Sequence, residues 1–213
     1  MMQRRVSHIF LAVLLALMGW LPMNAGDHSD DIYELSLDEN LVTPVIKNAK
    51  QADKIQDFQY DMAVAFKKSN YDVEIMRDDE VIVITIPASQ LFDPNDTVLN
   101  DLGVAQLKPF LRMLNNPGFY KMLLVMHSDN TGSSDYTLNL TRQRVNAIYD
   151  WFDENGSVDY VVPYALGETD PVADNNSVEN RKRNRRLEIY LVPEQTMIQQ
   201  AKKGNINMRH LGK

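Results

Sequence analysis

The sequence predicts an α/β sandwich: a mixed sheet with helices on one face, in the order strand, helix, strand, helix, strand, strand. Two observations lead there. Short β-branched runs such as Val81-Ile-Val-Ile-Thr-Ile86 alternate with longer stretches whose apolar residues recur at intervals of three and four. Turn and stop residues, among them Pro117-Gly118 and Asn155-Gly156, separate one stretch from the next. The length of 213 residues, 44% hydrophobic and 24% charged, fits one globular domain with attachments.

Residues 1–25 read as an export signal. Arg4 and Arg5 give a positive start, Ile9 to Leu17 an apolar core, and Ala25 a small residue before a cut. The alternative is an uncleaved anchor, although Val6 to Leu21 falls short of the ~20 apolar residues a spanning helix wants. Residues 26–70 form a leader, acidic and without period up to Asn48, which predicts loose order. The leader closes with an amphipathic helix over 49–68, where Ala52, Ile55, Phe58, Met62 and Phe66 share a stripe. That stripe docks either on the domain or on another envelope protein.

The domain proper is expected over 71–193. Tyr71–Met76 alternates as an edge strand does, and Val81–Ile86 is continuous enough for a central one. Leu99, Leu102, Leu107, Phe110, Leu111 and Leu114 predict a helix. Strand 121–126 and a helix from Thr141 to Glu154 follow. Tyr160–Leu166 is a strand marked as an edge or bulge by Pro163, and Leu187, Ile189 and Leu191 alternate in the last strand. Residues 194–213 are expected as a basic tail.

The functional signal lies between Met122 and Arg144. A buried run ends in the turn-rich loop Ser128-Asp-Asn-Thr-Gly-Ser-Ser-Asp135, and Thr141 offers itself as the cap of the next helix. Arg142 and Arg144 would then sit in a first turn, where the helix dipole disfavours cations, so an anion is expected nearby. Two readings stay open on chemistry alone. Arg144 could pair internally with Asp129 or Asp135, or Asp129 and Arg144 could face a cleft and hold a zwitterion.

The run Asp129-Asn-Thr-Gly132, then Tyr136, then Leu140-Thr141-x-x-Arg144, with the later Asn184-Arg-Arg-Leu-Glu-Ile189, resembles the peptidoglycan-binding domain of the OmpA-like family. The resemblance covers about 81–192. It implies a βαβαββ fold, no cofactor, and noncovalent binding of peptidoglycan through the diaminopimelate residue of the stem peptide. In that family an Asp holds the ligand's ammonium, and an Arg fifteen residues on holds its carboxylate. Asp129 and Arg144 have that spacing. Ser128, Thr131, Tyr136, Thr137, Thr141, Arg181, Asn184 and Arg185 match supporting positions, with Arg181 and Arg185 implied to brace the loops around the cleft. Met126, Ser128 and Thr137 depart from the family's Gly, Thr and Asn, and Thr137 lacks an amide that can donate and accept at once.

Other classes find little support. The chain has no cysteine, which excludes disulfides, thiolate metal sites and a lipid-modified cysteine in this sequence. Net charge is −7, and −9 without residues 1–25, which hold two arginines and no acid. Despite five cations over Arg181–Arg186, nucleic acid is therefore not an expected partner; those cations are expected to pair with Glu179, Asp170 and Asp174. His127 reads as a strand-end residue, no catalytic motif or metal-ligand set appears, and the leader is too short for a transmembrane barrel. The expected protein is exported to the periplasm, associated with the outer membrane or wall, and is a tether rather than an enzyme. The alternative is an interaction module that keeps the fold and has lost wall binding.

Overall fold

The computed structural model describes residues 31–77, 80–204 and 206. The expected signal over 1–25 and the leader's first residues lie outside them. In chain order the helices are α1 (Leu37–Asn40), α2 (Ala49–Lys68), α3 (Asp101–Leu107), α4 (Leu111–Leu114), α5 (Ser134–Asp153), α6 (Val178–Asn184) and α7 (Gln195–Lys202). The strands are β1 (Asp72–Met76), β2 (Val81–Pro87), β3 (Tyr120–His127), β4 (Val161–Gly167) and β5 (Arg186–Pro193). They form one sheet in the order β1-β2-β5-β3-β4, antiparallel throughout except for the parallel pair β3–β4. This is the mixed α+β sheet the sequence predicts, with β1 and β4 at the edges. Asp72 and Glu74 point outward on β1, a common guard against edge-to-edge pairing.

One face of the sheet carries the main core. Ile84, Ile86, Met122, Leu124, Met126, Ile189 and Leu191 meet Phe66 of α2, Phe110 between α3 and α4, Ile148 and Phe152 of α5, and Met197 of α7. The stripe of α2 is consumed in this contact: Ile55, Phe58, Met62 and Phe66 are all buried. The partner surface considered for 49–68 is therefore not its apolar face, because the domain already covers it.

The other face is not bare. Residues 31–48, expected to be loosely ordered, run across it as a strap. Ile32 and Leu41 pack on Val81, Leu123, Val125, Val162 and Val192. Ser36 caps α1 in a capping box with Glu39. Buried Asn40 Nδ2 donates to the Ile32 carbonyl and to Tyr164 Oη, both at 2.6 Å. At the far side Arg77 donates to the Leu41 carbonyl at 2.7 Å.

Three further expectations are corrected. The helix foreseen over 99–114 breaks at Pro109, which lacks an N–H, into α3, a 3₁₀ turn at Lys108–Phe110 and α4; Leu102 is exposed. The last two strands are separated by α6, capped by Ser177. The basic tail begins as α7, whose Met197, Ile198 and Ala201 are buried in the main core. Among the described residues no helix is long and apolar enough to cross a membrane.

Candidate functional site

The site forms where β3 ends. β3 is buried along its whole length, and its pairing with β4 shifts register between Met126 and His127. Two hydrogen bonds donated by backbone amides then fix the loop that follows. Ser128 N donates to the Gly167 carbonyl at 2.7 Å, and Gly167 N donates to Thr141 Oγ1 at 3.1 Å. Gly167 has a left-handed φ of 55°, and a Cβ there would lie 3.1 Å from Leu138 N, so the close approach of β4 to α5 needs a glycine.

Helix α5 starts at Ser134, not at Thr141. Ser133 is the cap, accepting from Tyr136 N at 3.2 Å. Arg142 and Arg144 are thus mid-helix, and the dipole argument for a nearby anion does not apply to them. Both Ser133 and Thr141 can cap; the chain uses the one directly after the tight turn at Gly132, φ 117°.

Asp129 is 2% exposed. Its Oδ1 accepts from Thr131 N at 2.9 Å, and its Oδ2 accepts from Arg185 NH1. Burial pushes this carboxyl up, but the Thr131 amide and the Arg185 guanidinium outweigh it and hold the group below the usual carboxylate range. Arg144 is 6% exposed. It donates from Nε to the Asp96 carbonyl at 2.8 Å and from NH2 to the Asp93 carbonyl at 3.3 Å, and its guanidinium lies 5.0 Å from the centre of the Phe92 ring. Burial lowers its pKa from the usual guanidinium range, with no effect on its charge near neutral pH.

The two residues are not paired with each other. They border one cavity of about 330 Å³, together with Ser128, Thr131, Tyr136 and Arg185 and the loop Phe92-Asp-Pro-Asn95. Tyr136 donates to Asn95 Oδ1 at 3.3 Å on the cavity wall. The other expected supporters act from behind. Thr137 and Thr141 are buried and donate to carbonyls of their own helix. Asn184 bonds Ala173 and Asn175, and Arg181 NH1 donates to the Asn175 carbonyl at 3.0 Å, so both brace the 173–175 loop. Sequence reasoning missed Phe92 and the two loop carbonyls. Asp93-Pro-Asn-Asp96 did carry turn residues after a strand, with Asn95 left-handed at φ 59°.

Below the loop, on the strap face, lies a buried polar cluster. Arg186 Nε is 2.7 Å from Glu188 Oε1, Tyr190 donates to Glu188 Oε2 at 2.6 Å, and His127 Nε2 stands 3.3 Å from the same oxygen. Of the carboxylates expected for the basic run, Asp170 is confirmed, 3.7 Å from Arg186; Asp129 and Glu188 are the other partners found. Burial acts to raise the Glu188 carboxyl, yet His127 and Arg186 bring it down to about 2.

No family model matches the chain. YiaD of Escherichia coli (strain K12) is 25% identical over 122 residues, 57% of this chain and 56% of that protein. Peptidoglycan-binding protein ArfA of Mycobacterium tuberculosis is 36% identical over 66 residues, 30% of this chain and 20% of that protein. The chain thus spans little more than half of the first relative and a fifth of the second. Among solved structures, a MotB-like protein from Desulfovibrio vulgaris matches with a TM-score of 0.59 at 22% identity, over 68% of this chain and 99% of that one. The cell wall anchor of the T6SS from Pseudomonas aeruginosa matches with a TM-score of 0.52 at 26% identity, over 66% and 97%. Sheet order, helical layer and these likenesses define the class: the fold is that of the OmpA-like domains.

Proposed function

We propose that this chain binds peptidoglycan noncovalently, holding the diaminopimelate residue of the stem peptide, and serves as a tether or localiser in the cell envelope rather than as an enzyme. One observation carries the reading: a buried carboxylate, Asp129, and a buried guanidinium, Arg144, face the same cavity without neutralising each other. A cavity so charged fits a ligand end that bears an ammonium and a carboxylate together. Two donors of Arg144 are held by loop carbonyls, so the ligand carboxylate would take the remaining N–H groups end-on. The names of two similar proteins, a peptidoglycan-binding protein and a cell wall anchor, support the ligand class. In this reading residues 1–25 direct export, and the domain works in the periplasm against the wall, beside the outer membrane.

A second reading has one observation in its favour. Arg185 already neutralises Asp129, as in an interaction module that no longer grips the wall. Pull-down on purified sacculi separates the two. The proposal expects the protein in the sacculus pellet at physiological salt, and a protein left wholly in the supernatant favours the module.

A further inference from the structure

Asp129 meets its ligand already occupied. One oxygen is taken by the Thr131 amide and the other by Arg185, and its side chain is only 4% exposed, whereas that of Arg185 is 40% exposed. The backbone at Arg185 is pinned at both ends. Its N–H donates to the Arg181 carbonyl at 3.1 Å, and its carbonyl accepts from Ala88 N at 3.0 Å. The guanidinium can therefore leave Asp129 by rotating side-chain bonds alone. Arg144 has no such freedom, being clamped by two carbonyls and an aromatic ring. The cavity thus contains one fixed cation, one movable cation and one buried carboxylate. Asp93 also borders it but is exposed, so water screens its charge.

Consider what each kind of ligand would meet. An ammonium alone must evict Arg185 and leave that guanidinium unpaired in a cavity that already holds Arg144. A carboxylate alone gains Arg144 but leaves the Asp129–Arg185 pair untouched. A ligand bearing both charges exchanges one set of ion pairs for another: its ammonium takes Asp129, and its carboxylate takes Arg144 together with the released Arg185. We infer that Arg185 is an exchangeable occupant of the ammonium subsite and makes binding conditional on a free α-amino acid end. Arg185 is then a specificity-determining residue rather than a brace for the loop. This rests on the zwitterion reading above.

Calorimetric titration of three synthetic peptides tests it: L-Ala-D-Glu-meso-diaminopimelate, the same peptide with its distal amine acetylated, and the same peptide with its distal carboxyl amidated. Wild type should favour the parent over either masked form by at least about tenfold. Arg185→Gln frees Asp129, so the amidated peptide, which keeps only the ammonium, should bind this variant at least about tenfold more tightly than it binds wild type. Arg185→Lys should restore the discrimination. The inference is overturned if the amidated peptide binds Arg185→Gln no better than wild type. It is equally overturned if Arg185→Gln loses the parent peptide as completely as Arg144→Ala does, which would make Arg185 an ordinary ligand contact. If the parent binds neither wild type nor Arg185→Gln, the zwitterion reading itself falls; parent binding without the gain removes only the role of Arg185.

Discussion

Strand β3 faces two differently built halves of the molecule. On one side Met122, Leu124 and Met126 meet helices that each bring several apolar residues at regular intervals. On the other side Leu123 and Val125 meet a strap with two buried apolar side chains, Ile32 and Leu41. That strap is held largely by polar contacts: Asn40 to the Ile32 carbonyl and Tyr164, Tyr164 to the Leu35 carbonyl at 2.9 Å, and Arg77 to the Leu41 carbonyl. A helical layer spreads its contacts over many residues of a repeating pattern, whereas a strap concentrates them in a few. The first face should therefore fail as a whole, and the second should detach locally.

Three substitutions probe this contrast. Leu124→Ala removes a wholly buried side chain from the helical core and should cost about 2–5 kcal/mol in global stability, read from denaturant melts. A cost below that of any strap substitution would reverse the assignment of the two faces.

The next concerns the polar part of the strap face. Glu188 titrates at about 2 in the folded protein against an ordinary 4.5. The group therefore contributes stability that is fully present above pH 4.5 and is lost as pH falls from there towards 2, on the order of 3 kcal/mol. Glu188→Gln should lower stability at neutral pH, because buried Arg186 loses its closest partner, and should flatten that acid limb in melts between pH 2 and 7. A variant with the parent's acid limb unchanged would show that the cluster does not carry this charge linkage.

The smallest effect is expected in the strap. Asn40→Ala leaves a buried carbonyl and Tyr164 without their donor and should cost about 1–2 kcal/mol. The distinguishing readout is hydrogen exchange: protection should fall over residues 31–46 while β3 and α5 keep theirs. Uniform loss across the sheet would mean that the strap is part of the global folding unit.

The same contrast explains what could be read from the sequence. The strands and α2 announce themselves through β-branched runs and a stripe at positions 55, 58, 62 and 66, each a repeated signal. The strap gives one short signal, the Ser36-x-x-Glu39 capping box, set in an acidic stretch with no period. Helix α7 is similarly brief, with three buried residues inside eight. At the site, the spacing of Asp129 and Arg144 was legible because side chains carry it. The clamp on Arg144 was not, since two of its three parts are backbone carbonyls that any residue could supply. Nor could Arg185 be told from Arg181, to which the resemblance gave the same bracing role; its distinction is that the chain leaves α6 there, with ψ at 92°, and its guanidinium reaches Asp129.

Whether Asp129 and Arg144 are a binding pair is measured most directly by sacculus binding with parallel melts on wild type, Asp129→Ala, Arg144→Ala and Arg144→Lys. Each alanine change deprives one ligand charge of its counter-charge in a buried site, typically a loss of ~2–5 kcal/mol, or roughly 30-fold or more in affinity. Arg144→Lys should also bind poorly, because an ammonium lacks the planar donor set that reaches loop carbonyls and ligand at once. All three variants should still melt cooperatively. Wild-type binding that survives both alanine changes at full strength would contradict the assignment.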